Sequence, residues 1–304
     1  TAIWSMQDVV DRVCELGSDW LFDLYADSTP ERLGVFCRPL PFLTAAWFNM
    51  YATSGMPGIE FLIGDAITVQ PDEESWYCER VVRLSQSYLS FQIAHETPPV
   101  VDPPCTNSRH VTFGSLVSQY KLNGDVIDAW SEILRGVSEA RLLLANVELD
   151  TLSTREYVRD QFALRGIDPD RLEMRGRAEH YEFLTYYDSI DLALDAFPYN
   201  GGTTTTEAIW QGVPVMTFAG DRWASRTSAS LLHETHLSEF VARDRDGFVA
   251  QSIALANHAL IAERLLTLRH SMRQELSKSP VCDAERFAES MQAAFEVILA
   301  ADAG

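Results

Sequence analysis

The stretch IDLALDAFPYNGGTTTTEAIWQGVPVMTF, Ile190 to Phe218, decides the fold. Its opening run, Ile190–Leu194, is apolar throughout apart from Asp191, the pattern of a short strand buried on both faces. Pro198, Asn200, Gly201 and Gly202 then break the chain. Four threonines follow and lead into a short helical segment, Glu207–Gln211. Gly212 stands where a helix C-terminal glycine belongs, Pro214 comes soon after, and Val213–Phe218 reads as the next strand. The whole is one strand–loop–helix–strand unit with a glycine pair just before the helix N-terminus. Backbone N–H groups at such an end are unpaired and carry the positive pole of the helix dipole, which suits a phosphate. Glycine lets an anion approach the backbone, and threonine hydroxyls add donors without adding charge. Two plainer readings stand beside this one: Thr204-x-x-Glu207 is also a capping box, and Gly201-Gly202 is also a turn. One cap needs one threonine, so the run of four favours the anion site.

Outward from this unit the alternation is regular. Strands are expected at Val111–Ser115, Arg141–Ala145 and Arg171–Arg175, and helices at Asp125–Val137, Thr154–Arg165 and Glu179–Tyr187. Val126, Trp130, Ile133, Leu134 and Val137 share one face of the first helix. Helices at Ser225–His233, Gly247–Ala256, Ile261–Glu275 and Ala284–Ala300 complete the chain. Strands spaced by helices imply a parallel sheet covered on both faces, with ligand loops at the strand C-termini. Upstream, Met6–Leu16 has helical spacing, and Trp20–Leu24, Phe42–Phe48 and Ile59–Ile63 read as strands. Arg32–Phe36 fits either state and Glu73–Val82 reads as partly helical. This is an α/β region with too few repeats to be complete. The proline-rich Pro98–Pro104 reads as the linker, which divides the chain into residues 1–105 and 106–304.

Composition narrows the function. A chain of 304 residues with 46% hydrophobic content accommodates two domains. A formal net charge of −20 argues against nucleic acid and anionic membrane as partners, because both demand a basic face. No apolar run reaches membrane-spanning length and no secretory segment opens the chain. Thr1 rather than Met begins it, so an upstream region or a partner chain is expected to complete the N-terminal part. The five scattered cysteines, with no Cys-x-x-Cys pair, read as reduced thiols and place the protein in the cytoplasm. His233 and His236 lack a second ligand pair, and Asp168–Asp170 and Asp244–Asp246 read as loop chemistry, so no metal site is expected. Of the 24 basic residues only Lys121 and Lys278 are lysines. Lys121 follows a strand, in a loop facing the same way as the threonine loop. A diphosphate on so acidic a protein needs such a local cation.

The segment FPYNGGTTTTEAIWQGVPVMTFAGDRWASRTSASLL closely resembles the signature of the O-linked N-acetylglucosamine transferase family, bacterial and Spindly-type relatives included. The resemblance extends back through Phe113–Leu122 (FGSLVSQYKL), forward to Ser279–Ala288 (SPVCDAERFA), and more weakly to about Ser5. It implies a GT-B-like α/β fold of two Rossmann-type domains, here with the N-terminal one incomplete. It also implies an inverting, metal-independent transfer from a UDP-sugar, UDP-N-acetylglucosamine first among them, to Ser or Thr of a protein, with no cofactor. The family lysine on the diphosphate falls on Lys121. The loop contacts to phosphate fall on Gly201, Gly202, Thr203 and Thr204, and the acidic residue on the ribose falls on Glu207. His180 aligns with a region that contacts the nucleoside. Arg222 and Arg226 match an Asp-Arg-x-Ala-Ser-Arg turn, where Arg226 either binds anion or pairs within the protein.

Several positions depart from the family. Val117-Ser118 replaces an asparagine pair, which weakens the polar nucleotide contact expected at Ser118. Ala26-Asp27-Ser28 stands for a Gly-His-Thr turn, leaving Asp27 as the position for a general base. Asn49–Gly55 reduces a Gly-Tyr-Pro-Gly-Thr-Thr-Gly loop. The family's first N-terminal histidine segment and its helical tetratricopeptide arm have no counterpart. The donor half is therefore expected intact and the acceptor half eroded. The alternative function is a catalytically weak or inactive relative that keeps the nucleotide site as a binding or assembly module.

Overall fold

A computed structural model describes residues 4–25, 33–108 and 110–302. The chain divides into two compact units, one made of Thr1–Ser90 with Ala284–Gly304 and the other of Phe91–Asp283.

The first unit carries β1 (Trp20–Asp23), β2 (Leu43–Ala46), β3 (Phe61–Asp65) and β4 (Arg80–Leu84), in spatial order β1-β2-β3-β4 and all parallel. Ala45, Leu62 and Ile63 are completely buried, as expected of strands covered on both faces. A helix, Met6–Glu15, starts at a reciprocal cap in which Asp8 N donates to Ser5 Oγ at 3.2 Å and Ser5 N donates to Asp8 Oδ2 at 2.8 Å. The partly helical reading of Glu73–Val82 holds only for its start: a short 3-10 turn, Pro71–Trp76, ends before β4 begins. Val81 and Val82 are β-branched and pair with Leu62 and Ile63, so sheet pairing wins over the amphipathic spacing.

The last helix, Ala284–Asp302, belongs to this first unit. Phe295 packs on the stacked rings of Trp20 and Phe22, 5.7 and 5.4 Å away, and Phe287 lies 5.6 Å from Trp47. Ser290 Oγ accepts from Ser85 N at 3.0 Å.

The second unit holds six strands: β5 (Thr112–Ser115), β6 (Arg141–Ala145), β7 (Leu172–Arg175), β8 (Leu192–Leu194), β9 (Val215–Phe218) and β10 (Val241–Ala242). All pairs are parallel, in the order β10-β9-β8-β5-β6-β7. The chain starts at the centre with β5, winds out to β7, then returns to build the other half from β8. β5 and β8 are thus neighbours whose loops turn opposite ways, which makes a topological switch point at their C-terminal ends. They approach closely because β5 carries Gly114: a Cβ there would sit 2.3 Å from Ile190 Cδ1. β10, two residues long, is too short to show a period in the sequence.

The division near residue 105 moves to Ser90–Phe91. The proline-rich segment is packed on the second unit and is no free linker. Trp210 Nε1 donates to Thr97 Oγ1 at 3.1 Å, Arg273 Nη2 to the Pro98 carbonyl at 2.9 Å, and Cys105 N to Asp191 Oδ1 at 2.9 Å. Among the described residues no helix is long and apolar enough to cross a membrane.

Candidate anion and nucleotide site at the switch point

After β8 the chain runs through Asp195–Gly202 into a helix, Thr203–Trp210, with Gly202 at its N-cap. The helix begins four residues before the expected Glu207, and two of its threonines find hydroxyl partners within the fold. Thr206 Oγ1 donates to the Thr203 carbonyl at 2.9 Å, and Thr205 Oγ1 meets Ser228 Oγ at 2.8 Å. Both are buried. With the start at Thr203 no capping box forms, and the glutamate lies two residues past the position that would cap.

The loop sorts its donors. Asn200 N donates to the Ala224 carbonyl and Gly201 N to Asp195 Oδ1, each at 2.8 Å, while Thr205 N and Thr206 N share the Gly202 carbonyl at 3.1 Å. Among the described residues, the N–H groups of Gly202, Thr203 and Thr204 have no acceptor within the chain, nor do the hydroxyls of Thr203 and Thr204. Consecutive free donors at the positive end of a helix dipole are the arrangement that suits an anion. Gly201 is needed beneath it, since a Cβ would lie 2.5 Å from Thr205 Oγ1 and 2.7 Å from Thr204 Oγ1.

Lys121 comes from the other loop of the switch point. It closes the 3-10 turn Gln119–Lys121 after β5, where its N–H donates to the Ser118 carbonyl at 3.0 Å. Its Nζ donates to the Asn200 carbonyl at 2.6 Å and lies 3.7 Å from the centre of the Tyr199 ring. Asn123 ties the same loops a second time, donating from Nδ2 to the Phe197 carbonyl at 2.7 Å. Burial pulls the Lys121 pKa down to about 8, against the pull of the Asp195 carboxylate.

Glu207 points to another partner. Its Oε1 lies 2.8 Å from His180 Nε2, and the carboxylate is buried while the imidazole is half exposed. Burial raises the Glu207 pKa, and His180 and His95 oppose that rise. The ring of His95 is 4.7 Å from that of His180. Tyr187 supports the same corner, donating from its hydroxyl to the Thr204 carbonyl at 2.9 Å.

Lys121, Ser118, Gly201, Gly202, Thr203 and Thr204 thus gather on the two loops of the switch point, and His180 joins Glu207 beside them. Asp27 lies outside the described residues. Arg226 is built into the scaffold: it is 4% exposed and donates from Nε to the Gly220 carbonyl at 2.7 Å. Arg222 pairs with Asp221 at the surface. The aspartates of the two triplets act as caps, Asp168 accepting from Asp170 N at 3.0 Å and Asp244 from Gly247 N at 2.8 Å. Two residues escaped the sequence reading. His95 sits in a segment with no motif or period to mark it. Asp195 had a signal, a lone carboxylate directly after a buried strand at the switch point, which the glycines and threonines overshadowed.

Two all-parallel sheets flanked by helices, with a topological switch point in the second, define a GT-B-like α/β protein. The chain belongs to glycosyl transferase family 41, whose profile matches residues 107–291. It is 31% identical over 279 residues to a tomato (Solanum lycopersicum) protein described as probable UDP-N-acetylglucosamine–peptide N-acetylglucosaminyltransferase SPINDLY, over 91% of this chain and 30% of that one. A Caenorhabditis elegans UDP-N-acetylglucosamine–peptide N-acetylglucosaminyltransferase is 26% identical over 182 residues, 60% of this chain and 15% of its own. Among solved structures, a mutant of the Thermobaculum terrenum O-GlcNAc transferase matches with a TM-score of 0.86 at 27% identity, covering 97% of this chain and 55% of that one. Sucrose-phosphate synthase from Thermosynechococcus elongatus shares the fold alone, with a TM-score of 0.58 at 14% identity over 97% of this chain and 78% of its own. The chain spans about 30% of the length of the curated relatives it matches.

Proposed function

We propose that this chain binds a nucleoside-diphosphate sugar at the switch point of its second unit. The reaction is inverting transfer of the sugar to a Ser or Thr hydroxyl of a protein. The relatives' names make UDP-N-acetylglucosamine the first donor to test. One observation carries the reading: Lys121 and the free donors of Gly202, Thr203 and Thr204 converge from two loops in a chain of net charge −20. As the bond to the sugar breaks, charge grows on the leaving diphosphate, and fixed donors and an ammonium stabilise it without reorganising. Such groups take the role a divalent ion plays elsewhere, so no metal or other cofactor is required. Glu207 takes the ribose hydroxyls and His180 the nucleoside side. Asp27 is the position offered for the base that removes the acceptor proton. The free thiols fit a reducing compartment such as the cytoplasm.

A second reading, a module that binds nucleotide without transferring sugar, is favoured by Ala26-Asp27-Ser28 where the family has a Gly-His-Thr turn. Incubation with labelled nucleotide-sugars and Ser/Thr acceptor peptides, with and without chelator, separates the two. Chelator-resistant transfer is expected. Donor binding without transfer or hydrolysis selects the module, and no binding of any nucleotide-sugar contradicts both.

A further inference from the structure

Beneath the loop of the anion cradle lies a carboxylate that the proposed reaction does not use. Asp195 is 4% exposed and follows β8 directly. Its Oδ1 accepts from Ala196 N at 2.9 Å and from Gly201 N at 2.8 Å, which closes the turn between them into a ring. Its Oδ2 accepts from Thr217 Oγ1 at 2.7 Å, near the end of β9, and Ser228 is a further side-chain partner. One side chain therefore fastens the loop to β8, to β9 and to the helix Thr227–His233. Burial raises the Asp195 pKa, and the donors Gly201 N, Ser228 and Thr217, with the Lys121 charge, oppose that rise, as a buried carboxylate needs to stay ionised.

The consequence for the cradle is geometric. Because Gly201 N is held inward on Asp195, the next N–H groups, those of Gly202, Thr203 and Thr204, are left for a ligand. The consequence for Lys121 is electrostatic. Its ammonium touches the Asn200 carbonyl and the Tyr199 ring, with Tyr120 beside that ring, and none of these supplies a countercharge. Asp195 is tied to it through one peptide group: Gly201 N donates to Asp195 Oδ1 while the carbonyl of the same peptide, on Asn200, accepts from Lys121 Nζ, and the carboxylate's charge favours the ammonium.

We infer that Asp195 is the positioning residue of the anion site, which both sets the loop's free donors outward and keeps Lys121 in its charged form. This rests on the reading of the loop as a diphosphate site, but its electrostatic half does not need a ligand. A carboxylate here makes the loop and the lysine one device: the charge that orders the backbone also holds the proton on the ammonium. The carboxylate oxygens are taken up by the loop and β9, so it acts through them.

The test uses the scarcity of lysine. With only Lys121 and Lys278 in the chain, protein carrying lysine labelled at Cε gives two side-chain resonances, assigned by Lys278→Arg. In the parent the Lys121 resonance should titrate near pH 8. In Asp195→Asn, whose side-chain carbonyl still accepts from Gly201 N, that midpoint should fall by roughly one unit or more. UDP affinity at neutral pH should drop by roughly tenfold, with uridine affinity unchanged. An unmoved midpoint overturns the coupling. Should Asp195→Asn fail to fold, Thr217→Val removes one tether while the charge stays. It should weaken UDP by a few-fold (roughly three to ten) and leave the lysine midpoint in place, and unchanged UDP affinity overturns the positioning role. If the parent binds no UDP, the diphosphate reading fails, while the lysine titration still decides the coupling.

Discussion

The Lys121 ammonium gives up part of its hydration to the Asn200 carbonyl and the Tyr199 ring, and pH exposes both consequences. Its pKa lies near 8, so affinity for a nucleoside diphosphate should hold below that pH and weaken as pH rises through it, by roughly tenfold or more once the proton is lost. Titration calorimetry across this range checks it, with bare nucleoside as the control. Stability should move the opposite way. The unfolded chain keeps this proton up to its ordinary 10.5, the folded chain only to about 8, so between those values the unfolded state binds more protons. Over that window the parent should gain stability relative to Lys121→Met, measured by urea unfolding at each pH. Glu207 offers a separate check. If its carboxylate holds the ribose, the parent should prefer UDP to the analogue lacking the 2′ and 3′ hydroxyls, and Glu207→Ala should bind both alike. The placement of Lys121 beside the threonine loop was legible in the sequence because lysine is scarce and its motif is specific. Glu207 was half legible: its spacing fitted a cap, but with the helix starting at Thr203 its carboxylate meets His180 instead.

Between β8 and β9 the backbone itself is the device, and glycine marks where a side chain fails. Gly212 ends the Thr203–Trp210 helix at φ +76°, and a Cβ there would meet the Arg269 carbonyl oxygen at 2.7 Å. Gly212→Ala should therefore destabilise by about 1–2 kcal/mol from backbone handedness alone, with the contact adding to it. Urea unfolding measures the loss, and a change within error of zero would contradict the cap. This glycine was readable from sequence because Gly followed by Pro after a helix has one common physical reason. Strands flanked by helices were readable for the same kind of reason, since burial on both faces forces long apolar runs. β4 was not, because its two arginines disguise a strand whose Val82 and Leu84 are buried.

At the scale of the chain, the C-terminal helix completes the N-terminal unit, and the sequence could not show this. Its apolar spacing says only that one face is covered, while the cover, Trp20, Phe22 and Trp47, lies more than two hundred residues upstream. Ile298 is fully buried there. Ile298→Ala should cost about 2–5 kcal/mol, and hydrogen exchange should place the lost protection in β1–β4 and not in β5–β10. The domain boundary was misplaced for a related reason: a proline-rich segment looks like a linker, whether or not Trp210, Arg273 and Asp191 bind it down. The resemblance reached both loops of the switch point because each carries its own motif, residues 113–122 and 201–207, and the fold brings them together. The central claim is that Lys121 and the loop N–H groups form one diphosphate site, and calorimetry of UDP against parent and Lys121→Ala, with chelator present, tests it most directly. Removing a charge-assisted hydrogen bond should weaken UDP by roughly 10- to 150-fold and leave uridine unmoved. A variant that binds UDP as tightly as the parent would contradict the account.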